Sequence, residues 1–134
     1  MDKVEPMQKS VMIIDDEVAY ADATGNLLES RGFAVHIAHN GAEALKLLES
    51  VTPDLLLVDV MMPEVDGLTL IRKIKSDPAL LRTPFVVISA LGMPQDRSSA
   101  WTAGADAFLA KPFRYKDLMD VIDYVMPPGA GEND

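Results

Sequence analysis

The chain has no cysteine among its 134 residues. Disulfides, thiolate metal sites and cysteine nucleophiles are thereby excluded. No apolar run approaches the ~20 residues that a membrane helix needs. The opening MDKVEPMQKS is mixed in charge and has no apolar signal core. Basic residues are scarce, with 12 Lys and Arg against 21 Asp and Glu, for a formal net charge of −9. An acidic surface repels nucleic-acid phosphates, so no direct nucleic-acid contact is expected. No membrane contact is expected either, and the cytoplasm is the expected location.

What is present has the composition of one globular domain, 49% hydrophobic and 25% charged. The length suffices to bury a sizeable core. Residues 1–9 read as a flexible leader and residues 127–134, PPGAGEND, as a flexible tail. The domain is expected over residues 10–126, with no internal linker and no solenoid-type repeat.

Within it, strand and helix patterns alternate. Strands are expected near 10–15, 34–38, 54–59, 84–89 and 106–110. Several are apolar on consecutive residues, as in strands buried on both faces of a parallel sheet. Val18, Ala21, Gly25 and Leu28 share one helical face, and Gly32 is a natural stop. Asn40-Gly41 can cap a helix carrying Ala44, Leu45 and Leu48. Leu68, Ile71 and Ile74 form a third stripe. A fourth helix, after Pro94, is weakened by Ser98, Ser99, Thr102 and Gly104. A fifth carries Leu118, Val121, Ile122 and Val125. Five β/α repeats predict an α/β fold: a five-stranded parallel sheet, doubly wound by five helices. The flavodoxin-like strand order is 2-1-3-4-5. The DPALLRTP stretch, 77–84, reads as a surface connection.

The chemistry gathers at the strand ends. VMII runs into Asp15-Asp16-Glu17, LLLV into Asp59, FVVI into Ser89, and AFLA into Lys111-Pro112. In an open α/β sheet, functional groups collect at the carboxyl ends of strands. Carboxylates crowded in one crevice repel, so at least one pKa should rise without a cation. All-oxygen ligation selects Mg²⁺, or Mn²⁺ in its place. Lys111 and Ser89 can meet the oxygens of a phosphoryl group, whose transfer needs mainly positioning and charge neutralisation. Asp59, alone at its strand end, is the expected nucleophile, and the Asp15-Asp16 pair suits metal. Taken singly, each of these residues has a plain alternative as a cap, turn former or surface group. Their joint placement on four strand ends carries the reading. His36 and His39 lie off this crevice, and Trp101 is expected to pack the fourth helix or to sit partly exposed.

The segments VMIIDDE (11–17), HNGAEAL (39–45), PDLLLVDVMMPEVDG (53–67), PFVVISA (84–90) and GADAFLAKPF (104–113) resemble the receiver domain of two-component response regulators. The resemblance implies that Asp59 is a phosphoacceptor supplied by a histidine kinase or histidine phosphotransfer protein. It implies a metal site of Asp15, Asp16, Asp59 and the Met61 backbone carbonyl, with Asp16 a direct ligand and Asp15 acting indirectly or through a water, and phosphoryl contacts by Ser89 and Lys111. The Lys111–Pro112 peptide is expected to be cis. Ser89 and Phe108 are expected to switch on phosphorylation. They would change the face made of the fourth helix, fifth strand and fifth helix, where a downstream protein would bind. Met61 and Leu91 flank the pocket and are expected to tune water access.

Ala107 and Val121 stand where winged-helix transcriptional receivers carry a charged pair. That dimer is therefore not expected, and the chain is read as a monomer or weak dimer. The protein is expected to be a signalling switch with slow autodephosphorylation, not a turnover enzyme. One alternative is a receiver excised from a larger regulator or hybrid kinase. Another is a module that binds partners without phosphorylation. A third, an aspartyl-phosphate hydrolase, would need a second acid and a cap.

Overall fold

A computed structural model describes residues 8–60, 67–90 and 104–127 of the chain. Chain order runs β1 (Ser10–Ile14), α1 (Val18–Ser30), β2 (Ala34–Ala38), α2 (Gly41–Leu47), β3 (Leu55–Asp59), α3 (Gly67–Lys75), β4 (Phe85–Ala90), β5 (Ala107–Lys111) and α4 (Tyr115–Val125). The strands form one sheet in the order β2-β1-β3-β4-β5, and every pairing is parallel. This is the expected order. Four helices are described. The helix expected after Pro94 lies outside the described residues, and α4 is the fifth helix of the sequence pattern.

Alternation along each strand sends side chains to opposite faces, so the sheet has two cores. On one face Val11, Ile13, Leu55, Leu57, Val86 and Ile88 pack with Ala21 and Leu28 of α1 and with Leu118 and Ile122 of α4. On the other, Met12, Ile14, Leu56, Val58 and Val87 pack with Ala44 of α2 and with Leu70, Ile71 and Ile74 of α3. Strands covered on both sides have no polar face to show, which is why they read as unbroken apolar runs.

Local chemistry sets the element ends. Asn40 caps α2, its side chain accepting from the Glu43 N–H at 2.8 Å. Gly32, at φ +94°, closes α1. Its N–H donates to Glu29, and the Phe33 N–H reaches back to the Leu28 carbonyl. The 77–84 stretch is only partly a surface connection, because Leu80 is buried in the α2/α3 core while Leu81 is exposed.

α1 lies close on β2. A Cβ placed on Gly25 would stand 3.2 Å from Ile37 Cδ1 and 3.3 Å from Val35 Cγ1. No helix among the described residues is long and apolar enough to cross a membrane.

Candidate functional site

β1 ends at Ile14, and the next residue is fixed by its neighbours. The Asp15 N–H donates to the Ala38 carbonyl at 3.0 Å. Its carboxylate accepts from the Glu17 N–H at 2.9 Å. Asp59 is the last residue of β3 and pairs in register with Ile88 of β4. Ser89 follows Ile88 and is buried, as are Asp15 and Asp59. Lys111 ends β5, opposite Ala90 of β4. Four parallel strands thus bring residues at or next to their carboxyl ends to the same end of the sheet.

The Lys111 ammonium is the centre of the cluster. It lies 2.9 Å from Asp15 Oδ2 and 3.0 Å from Asp59 Oδ2, and it also pairs with Glu17 Oε1. Its Nζ stands 4.5 Å from the centroid of the Tyr20 ring. Carboxylate oxygens of Asp15, Glu17 and Asp59 all fall within 4.8 Å of one another. The Lys111–Pro112 peptide is cis, as expected.

Three carboxylates around one ammonium leave excess negative charge. Burial pushes the Asp15 carboxyl above its ordinary pKa, and Asp59 adds repulsion in the same direction. The Lys111 and Glu17 hydrogen bonds oppose the rise but do not cancel it. For Lys111, burial works against the charge, yet the hydrogen bonds it donates to Glu17, Asp15 and Asp59 outweigh it and hold the ammonium above its ordinary pKa. The expectation that one carboxyl would titrate high is met at Asp15, and desolvation is the larger cause.

Among the described residues the converging carboxylates are those of Asp15, Glu17 and Asp59, and Asp16 is half-buried. Met61, Leu91 and Trp101 lie outside the described residues. Phe108 is half-buried opposite Val87 and packs against the α2/α3 core. His39 meets Glu43 at 3.6 Å, away from the cluster. Glu17 and Tyr20 escaped the sequence reading. Their role depends on how the first turn of α1 faces Lys111, and the only linear signal was the acid following Asp15-Asp16.

Two grooves, of about 480 Å³ and 250 Å³, flank the edge strand β2. Neither is lined by Asp15, Asp59 or Lys111. Charge and burial, not cavity size, mark the site.

The donors fit a hard divalent cation. They are oxygen atoms, they converge, and they carry more negative charge than Lys111 offsets.

Comparison with known proteins agrees with this geometry. The family model described as "Response regulator receiver domain" matches residues 11–123. A probable transcriptional regulator, ycf29, of Pyropia yezoensis is 35% identical over 117 residues, covering 87% of this chain and 53% of that protein. The chain spans 53% of the length of that regulator and 13% of the gliding motility regulatory protein of Myxococcus xanthus, to which it is 40% identical over 101 residues. Among solved structures, the chemotaxis protein CheY4 of Vibrio cholerae superposes with a TM-score of 0.84 at 24% identity, covering 89% of this chain and 99% of that one, a likeness of fold. The receiver domain of the sensor histidine kinase PA1611 of Pseudomonas aeruginosa has a TM-score of 0.78 at 25% identity, covering 87% and 96%. That structure holds a magnesium ion in its active-site cleft.

Proposed function

The chain belongs to the response regulator receiver family, and on that premise we propose that Asp59 is its phosphoacceptor. One Asp59 carboxylate oxygen attacks the phosphorus of a donor in line. The donor's own bond to phosphorus breaks, and an acyl phosphate forms on Asp59. The observation that carries this is the Asp59 carboxylate, buried at a strand end, 3.0 Å from the Lys111 ammonium and beside two further carboxylates.

Each neighbour has a task in this reading. Lys111 pairs with a phosphoryl oxygen, and the buried Ser89 hydroxyl donates to another. Asp15, Asp16, Asp59 and the Met61 carbonyl would hold Mg²⁺, and the position of Glu17 suits the same ion. Bound there, the ion would neutralise charge on the incoming phosphoryl group. The donor is a histidine kinase or histidine phosphotransfer protein. The output is a contact with a protein target at the face of the fourth expected helix, β5 and α4, with Phe108 and Ser89 reporting the phosphorylated state. The net charge of −9 supports a protein partner over direct nucleic-acid contact by this domain.

The test is intact-mass spectrometry after incubation with acetyl phosphate, with and without Mg²⁺. A Mg²⁺-dependent gain of one phosphoryl group, absent in Asp59→Asn, is expected. A gain that persists in Asp59→Asn moves the acceptor elsewhere. No gain from acetyl phosphate or from a donor kinase would overturn the reading.

A further inference from the structure

Lysine is a poor positioner by itself. Its ammonium is a point charge on a four-carbon stem with free rotors, and it gives no geometric fork. At this site three carboxylates draw it in different directions. Glu17, one of the three, has a side chain 61% exposed, so its pull is screened and its own place is loosely fixed.

Tyr20 makes contacts of another kind. Its ring lies under the Lys111 ammonium at 4.5 Å. Its hydroxyl accepts a hydrogen bond from the Phe113 N–H at 3.1 Å. Its ring also meets the Phe113 ring edge-to-face, with centroids 5.2 Å apart and planes at 72°. Tyr20 therefore grips the Lys111 side chain at its charged tip and the backbone two residues past its root. The root itself is held by the pairing of Lys111 with Ala90. The face of an aromatic ring attracts a cation whatever the carboxylates are bound to.

From these contacts we infer that Tyr20 is a positioning residue for Lys111, setting where the ammonium stands to receive a phosphoryl oxygen. This rests on the proposed chemistry at Asp59 and adds to it a residue of α1. The two parts of the tyrosine do different work. The hydroxyl ties down the turn after β5 and acts on stability. The ring places the charge and acts on phosphoryl uptake. A side chain that merely filled space would not separate the two.

The experiment compares wild type, Tyr20→Phe, Tyr20→Leu and Tyr20→Met, with Asp59→Asn as the control for the acceptor. Three quantities are measured: the initial rate of phosphorylation by acetyl phosphate in Mg²⁺, the melting temperature, and the proton shift of the Lys111 Cε methylene. That resonance is assigned by its loss in Lys111→Met. Tyr20→Phe is expected to melt lower yet recover most of the rate and keep the ring-current shift. Tyr20→Leu is expected to lose the shift and to slow uptake roughly three- to tenfold, the range that a partly buried cation–π contact allows. Tyr20→Met fills the same space without a π face. It should behave like Tyr20→Leu, and it serves if that variant folds poorly.

Uptake at the wild-type rate in Tyr20→Leu or Tyr20→Met overturns the inference. So does a Tyr20→Phe variant as slow as either. If wild type itself gains no phosphoryl group, the chemistry at Asp59 fails and the inference falls with it. If wild type gains one that Asp59→Asn lacks, only the inference is at stake in the Tyr20 comparison.

Discussion

The Lys75 ammonium stands 5.2 Å from the centroid of the Phe85 ring, closing the connection between α3 and β4 from inside. It donates to the Leu80 and Leu81 carbonyls at 3.3 Å each and also to the Thr83 carbonyl. Burial lowers its pKa, with Asp106 opposing. One charged tip thus meets three carbonyls of the connection between α3 and β4. Lys75→Met keeps the stem and removes the donor. It is expected to cost about 1 kcal/mol in urea unfolding, because the Leu80 carbonyl keeps the Thr83 N–H and Leu81 is exposed, so the Thr83 carbonyl bears the loss. Phosphoryl uptake by the folded fraction should be unchanged.

Lys111→Met leaves three acids without their cation. A loss of about 2 kcal/mol in EDTA is expected, less than for a sealed ion pair because Glu17 is exposed. On the proposed reading Mg²⁺ binds only the folded site, so it should raise the melting temperature of this variant more than that of wild type. The pH dependence has a definite sign. The folded pKa of Lys111 lies above its unfolded value, so its contribution is complete below the ordinary lysine range. It is lost only as pH climbs through the folded value, in strong alkali. Melting curves from pH 6 to pH 11 in wild type and variant check this.

Asp15 shows linkage of the same sign, in the carboxylate range. Its folded pKa is raised above the ordinary 3.8, so the folded state keeps a proton that the unfolded chain has released. Stability therefore falls as pH rises through that window, and at neutral pH the fold carries the penalty. Asp15→Asn retains an oxygen to accept the Glu17 N–H and removes the buried charge. It is expected to melt a few degrees higher at pH 7 in EDTA, with the difference vanishing below the ordinary carboxylate range. It should also weaken Mg²⁺ binding by roughly tenfold or more, measured by calorimetry, as a lost carboxylate ligand would.

Gly25 tests how closely α1 lies on the sheet. The nearest atoms to an added Cβ are the mobile tips of Ile37 and Val35. Helix propensity favours alanine there by about 1 kcal/mol, and the crowding opposes it. Gly25→Ala is expected to leave stability within about 1 kcal/mol of wild type. Gly25→Leu, which cannot be absorbed by side-chain tips, should cost about 2–3 kcal/mol. Thermal melts at pH 7 decide between close contact and open space.

Much of this was legible in the sequence because buried parallel strands leave plain marks. LLLV before Asp59 and VMII before Asp15 are apolar on both faces, so the strand ends, and hence the acids, could be placed without coordinates. The Asn40 cap and the Gly32 stop follow from local backbone chemistry and were equally visible. Glu17 and Tyr20 were not, because nothing in linear order says which way the first turn of a helix faces. Leu80 was missed for a related reason. In a stretch bounded by prolines and charges, one leucine turns inward, to the core, while its neighbour Leu81 stays in water.

The site's cation arrives late. Lys111 follows Asp59 by 52 positions, which a ribosome takes roughly 3–10 s to add. Through that interval β1 and β3 can meet, yet their terminal acids have no ammonium between them, and β4 lacks its outer neighbour. Under the proposed chemistry, Lys111 can meet a phosphoryl oxygen only once β5 has docked beside β4, so the last strand of the sheet is the one that completes the site.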